Sequence, residues 1–458
     1  MLTNVKHIRL FAIFVHILIG FLALSEVVAE LYSYIVIVIG FVMIFRSANN
    51  HEEVTLWTAY LVGSEVFLRM TKGIFFYELN KYSVIVFLIL GLAIEKRRHG
   101  IPLIYFFYLA LLLLGIVFTD VPFGESLRRV IAFNLSGPFL LGMAAIYFYK
   151  RIITKEQLFR ALFYLMLPIF SMITFMYLRT PDLAEIRFGG VALSETTGGF
   201  GPNQVATIIG FAVFVVASFL YVKERLTGFL FADVLVLIYF AYRGLLTFSR
   251  GGMMAAGAAL IIFALIMILG GTNKLQNLFK YTIIMSLIMV GIWLYTSNVT
   301  GGMIENRYTG KNASGVKKED VTAGRVDIFQ AQLAAFYANP LVGVGVGGGK
   351  YFKQSGAESN TSHDEIGRLI AEHGLIGIFM LILLFITPLP NILGQNYYVR
   401  AFLISFYLFW FLTINHSAMR VAFPGWIYGL SLIQLTNTNE EESLDEDEVN
   451  SEETPINV

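Results

Sequence analysis

Apolar residues in this chain come in long runs, near 10–25, 31–45, 54–68, 82–94, 101–119, 130–149, 161–178, 204–222, 228–247, 253–270, 281–297, 369–387, 401–418 and 421–436. Runs of about 17–25 residues have the length at which a helix crosses a bilayer. In lipid at this hydrophobicity, only helices satisfy their own backbone groups. The pattern therefore predicts an all-α polytopic membrane protein with about 12–14 transmembrane helices. The third and fourth runs are the weakest, because one carries Glu65 and Arg69 and the other is short. The first follows Lys6 and Arg9 as a signal peptide would, but no small-residue cleavage site precedes the second, so it is read as retained.

One interval breaks the rhythm. Residues 298–368 form a long polar loop. Its first part, 298–324, is glycine-rich and reads as irregular. From Arg325 to Ala338, apolar Val326, Ile328, Phe329, Leu333 and Phe336 recur at helical spacing and predict a short amphipathic helix on the membrane or on the bundle. Asn339-Pro340 ends it, since proline disfavours helix in the residue before it.

Composition agrees: 57% of residues are hydrophobic and 14% charged, against roughly 25% charged in soluble domains. Cysteine is absent, which excludes disulfides and thiol chemistry. The net charge of +1 hides an acidic tail, with nine carboxylates from Glu440 to Glu453 and no basic residue after Arg420. The chain divides into a membrane domain, 1–437, and a tail, 438–458, expected to be disordered, solvated and cytoplasmic. Lys96-Arg97-Arg98, Lys150-Arg151 with Lys155, Lys223 with Arg225, Lys274 with Lys280, and Arg400 fall on alternate connections, on the side of Lys6 and Arg9. By the positive-inside rule both termini are cytoplasmic and the long loop faces outward.

On that outer side the candidate chemistry gathers. Arg250 stands in FSRGG between two apolar runs with almost no loop, and an intramembrane charge is a functional candidate by default. Arg243 lies about two turns earlier on the same expected helix. Arg325 opens the amphipathic helix, and Arg128-Arg129 and Arg187 lie in other outer connections. Arginines keep their charge and grip phosphate oxygens bidentately, so their convergence predicts an anion site. His363, the loop's one histidine, precedes the span that begins near Leu369 and is the candidate general base, with Asp364 beside it. Asn203 in GFGPNQVAT is placed to line a polar site at a helix entrance. The GVGVGGG of 343–349 lacks nucleotide-loop spacing and reads as a tight backbone path that offers N–H groups to an anion. No metal motif stands on this side, so neither metal nor cofactor is expected.

Taken together, these motifs resemble the O-antigen ligase and polysaccharide polymerase family of bacterial inner-membrane glycosyltransferases. The resemblance runs over about 200–390 and rests on GPNQVA at 201–206, SRGG at 249–252, the arginine–helix–NPLVGVG segment from Arg325, and His363-Asp364 followed by Gly374 and Gly377. The family usually has Asn, Ser or Gln where this chain has Asp364. The resemblance implies a GT-C-like membrane fold and transfer of a glycan from undecaprenyl pyrophosphate to an acceptor hydroxyl of a lipid, glycan or protein at the periplasmic face. It further implies that Arg250 and Arg325 hold the pyrophosphate and that His363 is the base, while their outer-side positions make Arg243, Arg187, Arg128, Asn203 and Asp364 the expected supporting substrate contacts. Ligase and repeat-unit polymerase are not separated by the sequence. A small-anion transporter and a non-catalytic scaffold are the readings from other classes, and nucleic acid is not an expected partner.

Overall fold

A computed structural model describes residues 2–95, 100, 102–183, 185–186, 188, 192–271, 275–318, 324–352 and 364–436. His363, Arg187 and the acidic tail lie outside the described residues. Every apolar run becomes a helix. These are α1 (Leu2–Leu22), α2 (Glu26–Ser47), α3 (Glu53–Met70), α4 (Leu79–Ile94), α5 (Leu103–Leu114), α6 (Leu127–Phe148), α7 (Lys155–Arg179), α8 (Pro202–Tyr221), α9 (Leu230–Leu246), α10 (Arg250–Gly270) and α11 (Leu275–Val299). After the polar helices α12 (Met303–Tyr308) and α13 (Arg325–Ala338) come α14 (Glu365–Ile386), α15 (Pro388–Gly394), α16 (Tyr397–Ile414) and α17 (Phe423–Leu430). Among the described residues, nine helical stretches are long and apolar enough to cross a membrane, so the chain is an all-α polytopic membrane protein. The remaining runs give shorter or more polar helices.

The last run is shorter as a helix than its apolar length suggests. Only Phe423–Leu430 is helical, and all eight residues are buried. Beyond it the chain leaves the helix to pair β2 (Gln434–Thr436) in parallel with β1 (Ile152–Thr154). Trp426 donates to Thr58 Oγ1 at 3.1 Å, and its neighbour Tyr428 packs on Trp410 with ring centroids 4.7 Å apart. A helix apolar all round belongs in the middle of a bundle.

Contacts between the connections sort them onto two ends. At one, Arg9 reaches the Arg225 carbonyl at 2.6 Å, Lys155 pairs with Glu224, and buried Arg151 joins Glu52 to Glu95. At the other, which also carries the long loop, the starts of α6, α8, α10 and α14 meet the connection 415–422.

Glycines set how α10 meets α8. A Cβ at Gly252 would overlap the backbone of Ala206, and one at Gly210 would overlap the Gly252 carbonyl. Neither obstacle is a flexible side-chain end, so the helices cross almost backbone to backbone. Gly252→Ala is expected to lower stability by about 1–3 kcal/mol, the usual cost of overpacking. A thermal melt in detergent checks this, and an unchanged melting temperature would contradict the close crossing.

Candidate anion site

The crossing fixes the first functional residue. With α10 against α8, Ser249 donates to Asn203 Oδ1 at 2.7 Å, and Arg250 becomes the first residue of α10. The turn into α10 is tight: Phe248 takes a left-handed φ of 54°, uncommon for a bulky residue, and stacks on Phe188. Arg243 and Arg250 are thus not on one helix face. α9 ends at Leu246, and Arg243 turns instead to Thr180 Oγ1 at 2.8 Å and the Thr196 carbonyl at 3.3 Å, tying down the 180–197 connection.

The turn's other product is the Phe248 carbonyl, which accepts a 2.9 Å bond from Nε of Arg307. Arg307 sits on α12, inside the stretch expected to be irregular. Its guanidinium is held below its ordinary pKa by burial first, then by the charges of Arg250 and Arg325. Arg325, the first residue of α13, is lowered likewise by partial desolvation, then by Arg250, while Asp364 opposes the shift. Three guanidinium groups therefore stand within electrostatic reach of one another. Like charges so placed repel, and an anion brought among them removes that repulsion. Next to them Tyr308, packed on Trp293, has a buried hydroxyl with no hydrogen-bond partner among the described residues. Burial pushes this phenol up to about 12 against the pull of Arg250 and Arg307, so at neutral pH it keeps its proton as a potential donor.

Asp364 has a definite local task. It is the N-cap of α14, accepting from Ile366 N at 3.2 Å and Gly367 N at 2.8 Å. Asp364→Ala should cost about 0.5–2 kcal/mol and Asp364→Asn much less, because asparagine caps equally well. Melting temperatures of the two variants test the assignment, and equal losses would contradict it.

α13 has the bounds read from sequence, and of the two surfaces expected for it the bundle takes its more polar side. Buried Gln332 and Ala335 face inward, with Gln332 filling the space over Gly367 of α14, while Val326 and Phe329 stay exposed. Ile328, Leu333 and Phe336 are half-buried. The glycine loop differs from its expected use. Left-handed Gly343, Gly345 and Gly347 carry the chain against α14, where the helix breaks at Gly374, itself at φ 63°. Val344 N and Gly345 N donate to the carbonyls of Ala371 and Glu372, Val346 N to Thr119 Oγ1, and Leu375 N to the Pro340 carbonyl. The bonds to Ala371, Glu372 and Pro340 repair the broken helix, and Val346 N ties the loop to the chain just after α5.

Deeper lies a second, structural set of charges that the sequence left scattered. Glu65 of α3 accepts from Arg69 and from Ala422 N, both at 2.5 Å. Glu78, just before α4, pairs with Lys81 and accepts from Ser136 of α6 at 3.0 Å. On α14, Arg368 joins Glu365 and Glu372, and Glu365 accepts from Met419 N at 3.1 Å. Arg420 donates to Asn134 Oδ1, and its own carbonyl accepts from Arg69 at 2.9 Å. Carboxylates and cations balance, and together they hold the irregular 415–422 backbone between α16 and α17. His416, in that backbone, meets Thr207 Oγ1 at 3.0 Å and lies over Gly251 beside Arg250.

Of the residues singled out from sequence, Arg250, Arg325, Asp364 and Asn203 come to one place, joined by Arg307, Tyr308 and His416. Arg243 faces elsewhere, and Arg128 is exposed at the start of α6, beside α4. Arg307 was missed because MIENRY has neither apolar periodicity nor a motif. Among the described residues no cluster of three or more His, Asp or Glu could hold a metal ion. Residues 235–382, the span that contains all three arginines, match the family model described as O-Antigen ligase. No curated protein matches the chain.

Proposed function

We propose, from the match of residues 235–382 to the O-antigen ligase model, that this chain is a membrane enzyme that joins glycans, with a specific division of labour. Arg250, Arg307 and Arg325 grip the diphosphate of a polyprenyl-linked glycan, undecaprenyl pyrophosphate being the expected carrier. Their fixed charge stabilises the diphosphate as the glycosidic bond breaks. His363, next to the Asp364 cap, takes the proton of the acceptor hydroxyl as it attacks. The transfer inverts the anomeric centre and uses no metal. Asn203 holds Ser249 and so steadies the start of α10. The reaction faces the periplasm of a bacterial inner membrane, with both termini in the cytoplasm, in keeping with the loop charges.

The gathering of Arg250, Arg307 and Arg325 at one place supports this reading, since three neighbouring guanidinium groups suit the several charged oxygens of a diphosphate. The transporter alternative is less well supported, because the deeper ion pairs described above neutralise one another. The test is genetic and biochemical. A deletion strain is complemented with wild type, His363→Ala and Arg325→Ala, and surface glycans are resolved on a gel. Both variants should fail to restore the glycan. Loss of all long chains from their acceptor indicates a ligase, and single-repeat products indicate a polymerase. Full complementation by both would overturn the enzyme reading.

A further inference from the structure

Arg128 stands apart from the arginine cluster, and the structure gives it a different setting. Between α4 and α6 runs an open groove of about 520 Å³, lined by Tyr82, Ile85, Ile131, Ala132, Leu135 and Phe139, with Leu127 and Arg128 at one end and Ser136 on its wall. That volume falls in the roughly 300–1,000 Å³ range of ligand sites. The groove exists because Ala132 and Ser136, one turn apart on α6, are too small to fill the seam, and Ser136 spends its proton on Glu78. Its lining is otherwise apolar.

The ends of the groove differ in chemistry. Arg128 lies in the first turn of α6, exposed, beside Arg129 and the positive end of the helix dipole. It is within electrostatic reach of Tyr82 across the groove. Tyr77 and Tyr82, both partly exposed at this end, mark the depth at which amphipathic rings meet headgroups. An apolar slot at acyl depth, ending in a cation at headgroup depth, fits an amphiphile with a negative head.

We propose that this groove binds an anionic phospholipid, one acyl chain lying between α4 and α6 and the phosphate on Arg128. The site is separate from the arginine cluster, where neither Arg128 nor α6 contributes. It does not depend on the glycan-transfer reading, because occupancy needs no turnover.

The experiment uses the full-length protein in nanodiscs of phosphatidylcholine doped with phosphatidylglycerol carrying a diazirine near the acyl terminus. Sites of photolabelling are mapped by mass spectrometry. The label should fall on Ile131, Ala132, Leu135 and Phe139, several-fold above that from a diazirine phosphatidylcholine. Arg128→Gln should reduce it about fivefold, the factor expected from one basic residue near a lipid surface. Ala132→Trp, which fills the slot, should remove it. If that variant misfolds, Arg128→Gln at its exposed position carries the test alone. Added inorganic pyrophosphate should leave the label unchanged. Equal labelling by the two lipids, even labelling of all lipid-facing helices, indifference to Arg128→Gln, or displacement by pyrophosphate would each overturn the proposal.

Discussion

Arg307→Gln should lower glycan transfer by about 10²–10³-fold, the usual loss when one donor to a developing negative charge is removed. Arg307 has two jobs, and Arg307→Gln removes both. Its charge adds to those of Arg250 and Arg325, and its Nε holds the Phe248 carbonyl that shapes the turn into α10. Arg307→Lys keeps the charge but loses the guanidinium geometry, so it should recover part of the activity only. If the arginines act on one diphosphate, Arg307→Gln and Arg325→Gln are not additive: the double variant loses less than the product of the single losses. The assay is transfer by purified protein from a polyprenyl-diphosphate glycan, with initial rates at several donor concentrations. Activity within twofold of wild type for Arg307→Gln would remove this residue from the site and leave Arg250 and Arg325 without their third member.

The second large effect concerns stability. Arg368→Met should destabilise the protein by about 3–5 kcal/mol, because it strands Glu365 and Glu372 as uncompensated buried charges. Yield and melting temperature in detergent report it. Adding Glu365→Gln and Glu372→Gln to Arg368→Met should recover much of the loss, since a neutral buried set lacks the unpaired charge. Recovery is incomplete for a specific reason: Glu365 also accepts from Met419 N, and a glutamine makes a weaker acceptor there. A variant as stable as wild type after Arg368→Met alone would show that water reaches these carboxylates.

Much of this architecture was legible in the chain because hydrophobic runs and helices answer to the same constraint, the absence of water in lipid. Each run became a helix, α13 began at Arg325 as its spacing required, and SRGG and GPNQVA proved to be two sides of one helix crossing. Asp364, which departs from the family's usual residues, turned out to be a helix cap, a role that Asn or Ser would fill as well. What was not legible depends on partners far away in sequence. The helix break at Gly374 needs the Pro340–Val346 backbone to repair it. The shortness of α17 depends on pairing with residues 152–154. Arg307 acquires its meaning from Phe248, 59 residues earlier. No local pattern encodes these.

The stitched backbone at 415–422 also bears on how the protein is made. α3 carries Glu65 and Arg69 in its last two turns, and charged side chains oppose insertion of a helix into lipid unless they are paired. One of the groups that completes Glu65 is Ala422 N, 357 residues later. During synthesis that bond is missing until residue 422 emerges, and until then Glu65 has Arg69 of its own helix as its partner. The buried set is completed only when residues 415–422 are in place, so a chain truncated before them should be a substrate for membrane quality control however intact its early spans.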